Sequence, residues 1–307
     1  MTPPAPTRST PAGRAYLDLR NRAKRDGRDS MEYFTLYALE GFLTRLADSQ
    51  YAEDFTLKGG VLMAAFAARR PTRDIDLAAC GFPNDIPDVE LRIRSIVAQD
   101  TGDGLTFDPA AVSGAPIRDE AAYAGVRVHM AATLATAHIP LHADVNFGDP
   151  IWPAPTITEL PLLLGGHLRL RGYPDHMVLA EKIVTAIDRG DQNTRWRDFV
   201  DIAAITGSRR VLDTDLHHAI DTVAVHRTIT VRPLAEVLDG FPALAQSRWR
   251  AWRRKQRLEA STPERFGDLL NACMAFADPV LHATASGRIW EPELREWRPP
   301  ASPPRSG

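Results

Sequence analysis

The sequence predicts an α/β (α+β) protein in which a strand-rich part is followed by a mostly α-helical C-terminal region. Residues 51–170 carry most of the strand signals, whereas residues 174–290 follow helical patterns in several segments. Within residues 54–77, a short strand, a Gly-Gly turn, a helix pattern and an acidic strand succeed one another. Strand and helix patterns in this order are typical of a sheet covered by helices.

The chain before the first strand is predicted to be a disordered tail and then helix. The first residues are rich in Pro, Thr and Ala, a composition typical of disorder, and we assign residues 1–15 to this tail. Between Tyr16 and Asp48 the pattern is helical, with large apolar residues on one side.

The first half of the central motif is a pair of glycines. Residues 54–58 are predicted to form a strand that ends at Gly59 and Gly60. Glycines let a backbone approach a phosphate closely, and a helix that follows them offers free N–H groups and a positive dipole end. Residues 62–69 are Ala-rich and favour such a helix, which Pro71 ends. A Gly-Gly pair by itself is more often only a turn.

The second half is an Asp-x-Asp on the next strand. Asp74 and Asp76 alternate with apolar residues, so both carboxylates lie on one face, about 6–7 Å apart. Carboxylates placed in this way can converge on one or two Mg²⁺ ions. Alone, such a pair is common on solvated strand edges, but the two halves together favour a site for nucleotide phosphates and metal. Arg69, Arg70 and Arg73 flank the motif and either contact phosphate or face solvent.

This order of motifs resembles the signature of the polymerase-beta superfamily of nucleotidyltransferases. The resemblance implies a polymerase-beta-like core with a mixed sheet and a third carboxylate on a neighbouring strand. Asp144 is the candidate, because residues 139–147 form an apolar strand pattern that ends at a Gly-Asp-Pro turn. Residues 126–130 could pair with this strand as a hairpin. The alternative for Asp144 is an edge-strand Asp without a catalytic role.

Two later motifs narrow the resemblance to the AbiEii/AbiGii-type nucleotidyltransferase toxins, which include the MenT-like toxins. They are the sequences VLAEKIVTA at residues 178–186 and RWRDFVDI at residues 195–202. The residues that match the family are Glu181, Lys182, Arg195, Asp198 and Asp201. The resemblance covers roughly residues 30–290. Two positions depart from it: Val61 replaces a Ser or Thr, and Arg197 replaces a Lys.

Lys182 lies beside the apolar stripe of its predicted helix, so its ammonium can reach along the stem to a triphosphate. Asp198 and Asp201 share one face of the next helix and could hold Lys182, contact a ribose hydroxyl or orient an acceptor. The alternatives are a solvated helix surface at Glu181 and Lys182, and i, i+3 ion pairs among Arg195, Asp198 and Asp201. The predicted catalytic residues are Asp74, Asp76, Asp144, Lys182 and Asp198. The predicted nucleotide-binding residues are Lys58, Gly59, Gly60, Lys182 and Asp201, and the predicted ligands of Mg²⁺ or Mn²⁺ are Asp74, Asp76 and Asp144.

A basic stretch, RWRAWRRKQR at residues 248–257, is a candidate RNA contact. It combines positive charge with two tryptophans, as proteins that bind phosphate and stack bases do. The candidate RNA-binding residues are Arg248, Arg250, Arg253 and Arg254. In the alternative interpretation, the tryptophans anchor a helix to the core and the arginines are its wet side.

Composition excludes several other classes of protein. The net charge of −2 argues against indiscriminate nucleic-acid binding, and no apolar run approaches the length of a membrane span. Two cysteines and no secretory signal suit a reducing cytoplasm. We expect a nucleotidyltransferase catalytic domain at residues 16–172, a helical domain at 173–297, a cleft between them, and a disordered tail at 298–307.

The resemblance implies a metal-dependent enzyme that moves a nucleoside monophosphate from an NTP to an RNA acceptor, the 3′ end of tRNA. Such an enzyme would block translation as the toxin of a toxin–antitoxin or phage-defence system, and an antitoxin partner is expected. One alternative keeps the site but modifies a protein or an aminoglycoside-like small molecule. Another is a non-catalytic NTP-binding regulator.

Overall fold

The chain forms two units, one built on a mixed β-sheet and the other mostly of helices. The computed structural model of the 307-residue chain describes residues 5–66, 72, 74–117 and 125–300. Of these, the first unit holds residues 5–65, 72, 74–117, 125–149 and 155–173, and the second holds Phe66 and residues 150–154 and 174–300. In the part of the chain described, no helix is long and apolar enough to cross a membrane.

Two helices precede the sheet, α1 (Pro11–Arg25) and α2 (Ser30–Ala47). The side chain of Thr10 accepts a hydrogen bond from the N–H of Gly13 and so caps the start of α1. The predicted disordered tail is therefore wrong for residues 11–15, which belong to this helix. The predicted helical segment at 16–48 is confirmed, but it is interrupted by a turn at Gly27, whose φ is +63°.

The first unit is built on an eight-stranded sheet with the order β3-β5-β6-β2-β1-β8-β7, in which β4 also pairs with β5. Its strands are β1 (Phe55–Lys58), β2 (Asp74–Ala79), β3 (Leu105–Phe107), β4 (Ser113–Pro116), β5 (Gly125–Leu134), β6 (Ala137–Asn146), β7 (Thr156–Pro161) and β8 (His167–Gly172). The β2–β6 and β1–β8 pairs are parallel and the others are antiparallel. The predicted mixed sheet is confirmed.

Two further helices belong to this unit, the short α3 (Gly59–Leu62), which continues as a 3₁₀ turn at Met63–Phe66, and α4 (Ile86–Val97). The predicted helix at residues 62–69 is observed as far as Phe66, and its remaining residues and Pro71 lie outside the described residues.

Strands β5 and β6 form the predicted hairpin. Their register runs without a break from Gly125 opposite Asn146 to Leu134 opposite Ala137. Side chains of β6 alternate between buried apolar residues and partly or fully exposed ones, which fixes the register because a one-residue slip would expose the apolar set. The chain reverses at Ala135, whose φ is +52°.

The second unit confirms the predicted helical C-terminal region. Its helices are α5 (Asp175–Arg189), α6 (Trp196–Thr206), α7 (Asp213–Arg227), α8 (Leu234–Val237), α9 (Phe241–Gln256) and α10 (Phe266–Leu281). A small antiparallel sheet that was not predicted joins β9 (Val211–Leu212), β10 (Ile289–Glu291) and β11 (Glu296–Arg298).

Tryptophans attach this small sheet to the helices. The indole N–H of Trp290 donates to the carbonyl of Thr206 at 2.7 Å, and that of Trp297 donates to the carbonyl of Phe276 at 2.8 Å. Arg298 pairs with Ile289 in the same sheet, so the predicted disordered tail does not begin at Arg298. Residues 301–307 lie outside the described residues.

Candidate active site

The acidic strand is β2, on which Asp74 and Asp76 point to one face while Ile75 and Leu77 are fully buried on the other. Asp144 lies directly opposite Asp76 on the parallel strand β6, so its side chain is on the same face. The sheet therefore brings together the three predicted carboxylates. This is the arrangement that the resemblance implied, and a one-residue shift of either strand would remove it.

A row of charges crosses four neighbouring strands at this level of the sheet. Lys58 of β1 lies opposite Asp76, and Arg127 of β5 lies opposite Asp144. The row thus runs from β1 to β5 as one cation, two carboxylates and a second cation. Two positive side chains flank two negative ones that would otherwise repel each other.

Three of the four charges in this row form ion pairs with described residues. Arg127 donates from Nε to Oδ1 of Asp144 at 2.7 Å and from Nη2 to Oδ2 at 2.6 Å. The ammonium of Lys58 contacts a carboxylate oxygen of Asp149 at 2.5 Å. Both side chains of this second pair are about one tenth exposed. The pair therefore fixes the lysine at the end of β1, immediately before the glycine turn.

Asp74 has a neighbour of its own at the start of β2. Its carboxylate accepts a hydrogen bond from the hydroxyl of Thr72 at 2.6 Å. Arg69, Arg70 and Arg73, the predicted flanking arginines, lie outside the described residues.

The environment of Asp76 disfavours its negative charge. Burial, followed by the nearby charge of Asp74, raises the pKa of Asp76 to about 6, although Lys58 acts in the opposite direction. Asp144 adds to the increase, and the backbone N–H of Gly60, 3.4 Å from Oδ2 of Asp76, opposes it. A buried carboxylate next to a second one, with its pKa raised, is typical of functional sites, including those that bind divalent cations.

The glycine turn lies directly against this carboxylate. Gly59 has a φ of +68°, and a Cβ atom on it would be 1.7 Å from Oδ2 of Asp76. Only glycine fits both the conformation and the space. The helix that follows, α3, has four residues before it continues as a 3₁₀ turn, so its dipole is weaker than that of a long helix. Val61, where the family has a hydroxyl, is buried.

The carboxylates have the chemistry of a Mg²⁺ site, but their oxygens are not gathered around one point. Among the described residues, no group of three His, Cys, Asp or Glu side chains is placed to hold a metal ion. Asp144 is turned to Arg127, and Asp74 to Thr72. Hard oxygen donors on one face of the sheet are nevertheless the ligand type that Mg²⁺ or Mn²⁺ prefers.

The second group of predicted residues lies in the helical unit, on α5 and α6. The ammonium of Lys182 contacts Asp198 and Asp201, each at 2.8 Å, and Arg195 also contacts Asp198 at 2.6 Å. Lys182, Asp198 and Asp201 are nearly buried, which excludes the interpretation of a solvated helix surface. Glu181 is only partly buried beside them.

Ion pairing outweighs burial in this cluster. Burial opposes the charge of Lys182, but Asp201 and Asp198 raise its pKa above the ordinary value. Burial likewise opposes the charge of Asp198, but Lys182 and Arg195 hold its pKa below the ordinary value. Lys182 and Asp198 are therefore both ionised at neutral pH, and the contacts with Asp198 and Asp201 hold the lysine in place.

The basic stretch forms the end of α9, and only part of it faces solvent. Arg248, Arg250 and Arg254 are exposed, whereas Arg253 is buried. The guanidinium of Arg253 donates to the hydroxyl of Thr262 at 2.9 Å and to its carbonyl at 2.8 Å. The predicted role of Arg253 in RNA contact is thus wrong for this conformation, because its donors are used inside the protein.

The tryptophans of this stretch anchor the helix, as the alternative interpretation held. Trp249 is fully buried, with its ring 5.6 Å from that of Phe266 and 5.5 Å from that of Trp252. Its indole N–H donates to the carbonyl of Pro263 at 3.2 Å. Stacking of RNA bases on Trp249 is therefore excluded in this conformation.

Sequence reasoning missed Arg127 and Asp149, which pair with two predicted site residues. Arg127 lies within the strand pattern that was predicted to pair with the strand of Asp144, but its position depends on the register. Asp149 belongs to the Gly-Asp-Pro turn that ends β6 and was interpreted only as a strand end. No local pattern connects it to Lys58, which is 91 positions away in the sequence.

A search of the curated proteins finds no match. Two crystal structures of Helicobacter pylori proteins are similar. JHP933 is 14% identical, with 80% of this chain and 89% of that chain covered and a TM-score of 0.43. A protein provisionally described as a nucleotidyltransferase is 12% identical, with 83% and 96% covered and a TM-score of 0.47.

Most of the chain matches one protein family. A model of the family described as nucleotidyl transferase AbiEii toxin, type IV TA system, matches residues 41–272, most of the chain. The match includes the glycine turn, the three carboxylates and the lysine–aspartate cluster. The chain belongs to the AbiEii family of nucleotidyl transferase toxins from type IV toxin–antitoxin systems.

Proposed function

We propose that this protein transfers a nucleoside monophosphate from an NTP to a hydroxyl of an RNA acceptor, the 3′ end of tRNA. One observation supports the proposal above the others: Asp144 lies directly opposite Asp76 on a parallel strand, and the Gly59 turn is packed against Asp76. A nucleotidyltransferase needs acidic groups and a tight backbone turn side by side in this way. Family membership supports the reaction class, and the acceptor is our inference.

Three side chains would hold a divalent cation in this proposal: Asp74, Asp76 and Asp144. When bound, Mg²⁺ or Mn²⁺ would neutralise phosphate charge and lower the pKa of an acceptor hydroxyl. The acceptor oxygen forms a bond to the α-phosphorus of the NTP. The bond from that phosphorus to the bridging oxygen of the β-phosphate breaks, and pyrophosphate leaves. The proton of the acceptor hydroxyl passes to solvent.

The contribution of the chain itself is positioning and charge. The ammonium of Lys58 lies at the level of Asp76 and is fixed by Asp149, so it can offset phosphate charge without first being ordered. The turn at Gly59 and Gly60 allows the phosphates to lie close to the backbone. Preorganised charges of this kind provide much of the acceleration in phosphoryl-group chemistry.

Lys182, Asp198 and Asp201 are proposed to act as one unit. Two buried aspartates fix the ammonium of the lysine at 2.8 Å from each, so its position does not depend on solvent. We assign to Lys182 a phosphate contact, and to Asp198 and Asp201 the positioning of that lysine. Removal of any one of the three is therefore expected to reduce transfer.

Modification of the 3′ end of tRNA would stop aminoacylation and hence translation in the cytoplasm, which suits a toxin that can also serve in phage defence. A cognate antitoxin protein is the expected partner. The exposed arginines Arg248, Arg250 and Arg254 are proposed to contribute phosphate contacts to the RNA. Their charge would make RNA binding depend on salt concentration.

The decisive experiment incubates the purified protein with total tRNA and each α-³²P-labelled NTP in Mg²⁺. The expected result is label on tRNA with at least one NTP, and no label with Asp76→Asn. The matched control is Arg169→Gln, a charge change at an exposed position of β8 in the same unit. Digestion with nuclease and protease shows whether the label is on RNA, on protein or on a small molecule. Label on protein or on a small molecule would mean that the acceptor is not RNA. No label with any NTP would refute the proposal.

A further inference from the structure

The pair formed by Arg127 and Asp144 bears on how the proposed site becomes active. Both oxygens of the Asp144 carboxylate are engaged by one guanidinium, at 2.7 and 2.6 Å. This is the bidentate geometry in which arginine binds carboxylates most strongly. Asp144 thus has a positive partner within the protein itself.

A guanidinium in this position competes with a divalent cation. A cation on Asp144 would need at least one of the two oxygens that Arg127 now engages, and the two positive charges would repel each other at such a short distance. The backbones of the two strands cannot move apart to reduce this repulsion, because β5 and β6 are paired without a break on both sides of these residues. Only the arginine side chain can move.

Burial indicates which partner is mobile. The side chain of Arg127 is 43% exposed, whereas that of Asp144 is 13% exposed. The arginine therefore lies at the open side of the pair and can reach solvent or an incoming anion. A polyphosphate offers the same bidentate oxygen geometry with more charge than one carboxylate. It is the partner for which the guanidinium would leave Asp144.

We propose that Arg127 is a positioning residue that occupies Asp144 until the polyphosphate of an NTP draws its guanidinium away. Binding of the divalent cation to Asp144 would thereby be coupled to the arrival of nucleotide. This inference rests on the proposed function, because it takes Asp144 as a metal ligand and an NTP as substrate. Without nucleotide, the enzyme would then bind the divalent cation only weakly.

The test measures Mn²⁺ affinity directly, by electron paramagnetic resonance of free Mn²⁺, with the full chain and no nucleotide. Arg127→Gln is expected to bind Mn²⁺ roughly threefold to tenfold more tightly than the wild type, the range for removal of a partly exposed competing ion pair. Arg169→Gln, on an exposed position of the same unit, should leave the Mn²⁺ affinity unchanged. Thermal unfolding checks that each variant is folded.

A second measurement follows the nucleotide. The four non-hydrolysable α,β-methylene NTP analogues are titrated calorimetrically at saturating Mn²⁺, and Arg127→Gln should bind the preferred one roughly threefold to tenfold more weakly. Equal or weaker Mn²⁺ binding by Arg127→Gln would overturn the proposal and leave Arg127 as a support of Asp144. Tighter Mn²⁺ binding with unchanged analogue affinity would overturn the transfer of Arg127 to phosphate.

Failure of the proposed function would look different. If Asp76→Asn and Asp144→Asn bind Mn²⁺ as the wild type does, the cation is not held by these carboxylates, whatever Arg127 does. If none of the four analogues binds to the wild type, the NTP assignment fails. The inference about Arg127 fails by itself when the two aspartate variants lose Mn²⁺ affinity but the arginine variant gains none, or gains it without losing affinity for the analogue.

Discussion

Asp76 is the residue at which the features of the candidate site meet. Gly59 touches its carboxylate, Lys58 and Asp144 lie opposite it on the two neighbouring strands, and its pKa is raised to about 6 by burial and by Asp74. A carboxylate in such surroundings costs stability when it is charged. Residues that cost stability in this way are common at functional sites, where binding of a ligand compensates for the cost.

Gly59→Ala tests how tightly the turn and the carboxylate are joined. Alanine at a φ of +68° is strained, and its Cβ would collide with Asp76 at 1.7 Å. We expect a loss of about 2–4 kcal/mol in the free energy of unfolding, measured with urea, because strain and overpacking add. Gly27→Ala is the matched control, since Gly27 has a φ of +63° and a Cβ atom added to it would have no neighbouring atom within 4 Å.

For this control, strain alone predicts a loss of about 1 kcal/mol. Equal losses in the two variants would contradict the close contact between Gly59 and Asp76. Nucleotidyl transfer should also fall in Gly59→Ala and not in Gly27→Ala, because only the first displaces the carboxylate.

Residue patterns alone were sufficient for Asp74, Asp76 and the glycine turn, because each lies within one short segment. They were not sufficient for Arg127, whose place depends on which residue of β5 faces Asp144. A slip of one residue would turn Arg127 to the opposite face. The contact between Lys58 and Asp149 joins distant parts of the chain and is likewise a product of the sheet.

At the scale of elements, α5 and α6 are joined by buried ion pairs. Lys182 on α5 contacts Asp198 and Asp201 on α6, and separation of the two helices would break both contacts of the buried lysine. The helical periodicity predicted that the two aspartates share a face. It did not show that this face is buried, since burial depends on the packing of α5 against α6.

Asp198→Asn should destabilise the protein in a pH-dependent way. The pKa of Asp198 is lowered in the folded state, since Lys182 and Arg195 outweigh the opposing effect of burial. Its charge therefore stabilises the fold above the ordinary carboxyl pKa, and this stabilisation is lost as the pH falls through the lower folded value. We expect a loss of about 2–4 kcal/mol at pH 7 by urea unfolding.

The difference between wild type and Asp198→Asn should be constant above about pH 5 and shrink below about pH 4. Asp18→Asn provides the comparison, because Asp18 and its partner Arg8 are both largely exposed. That variant should lose less than about 1 kcal/mol. A difference for Asp198→Asn that does not change with pH would rule out the ion pair as its cause.

Helix α9 carries both a buried arginine, Arg253, and exposed arginines. Arg253→Ala removes hydrogen bonds to Thr262 and to the carbonyl of Glu259, and should lower the free energy of unfolding by about 2–3 kcal/mol. Arg254→Ala, one residue further and exposed, should change it by less than about 0.5 kcal/mol. If both variants unfold alike in urea, the internal role of Arg253 is refuted.

The spacing in α9 contained a signal for this difference. Trp249 and Arg253 are four residues apart, so a helix places both on one face, and that face is the buried one. Charge alone suggested that all four arginines bind RNA.

A salt titration of RNA binding tests the exposed arginines. The slope of log affinity against log salt concentration should be smaller for Arg250→Ala or Arg254→Ala than for the wild type, since each phosphate contact adds about one unit to it.

At the scale of the whole molecule, the succession of a mixed sheet and a helical region followed from where strand and helix patterns occur in the chain. The small sheet of β9, β10 and β11 did not follow, because its strands have two or three residues each and are too short to show a period. Long elements with a buried face are visible in a sequence, whereas short strands are defined by their partners.

The proposed activity of this protein should be toxic to a cell that makes it. Expression without an antitoxin should arrest growth, and Asp76→Asn should relieve the arrest because it lowers nucleotidyl transfer by at least about 100-fold. The substitution removes a charge that Asp74 and Asp144 repel, so it should not lower the free energy of unfolding. Growth curves, urea unfolding and labelling of tRNA on the same variant separate loss of activity from loss of fold. A folded, inactive Asp76→Asn protein that still arrests growth would identify a non-catalytic NTP-binding regulator, since such a regulator acts through a partner and does not need transfer.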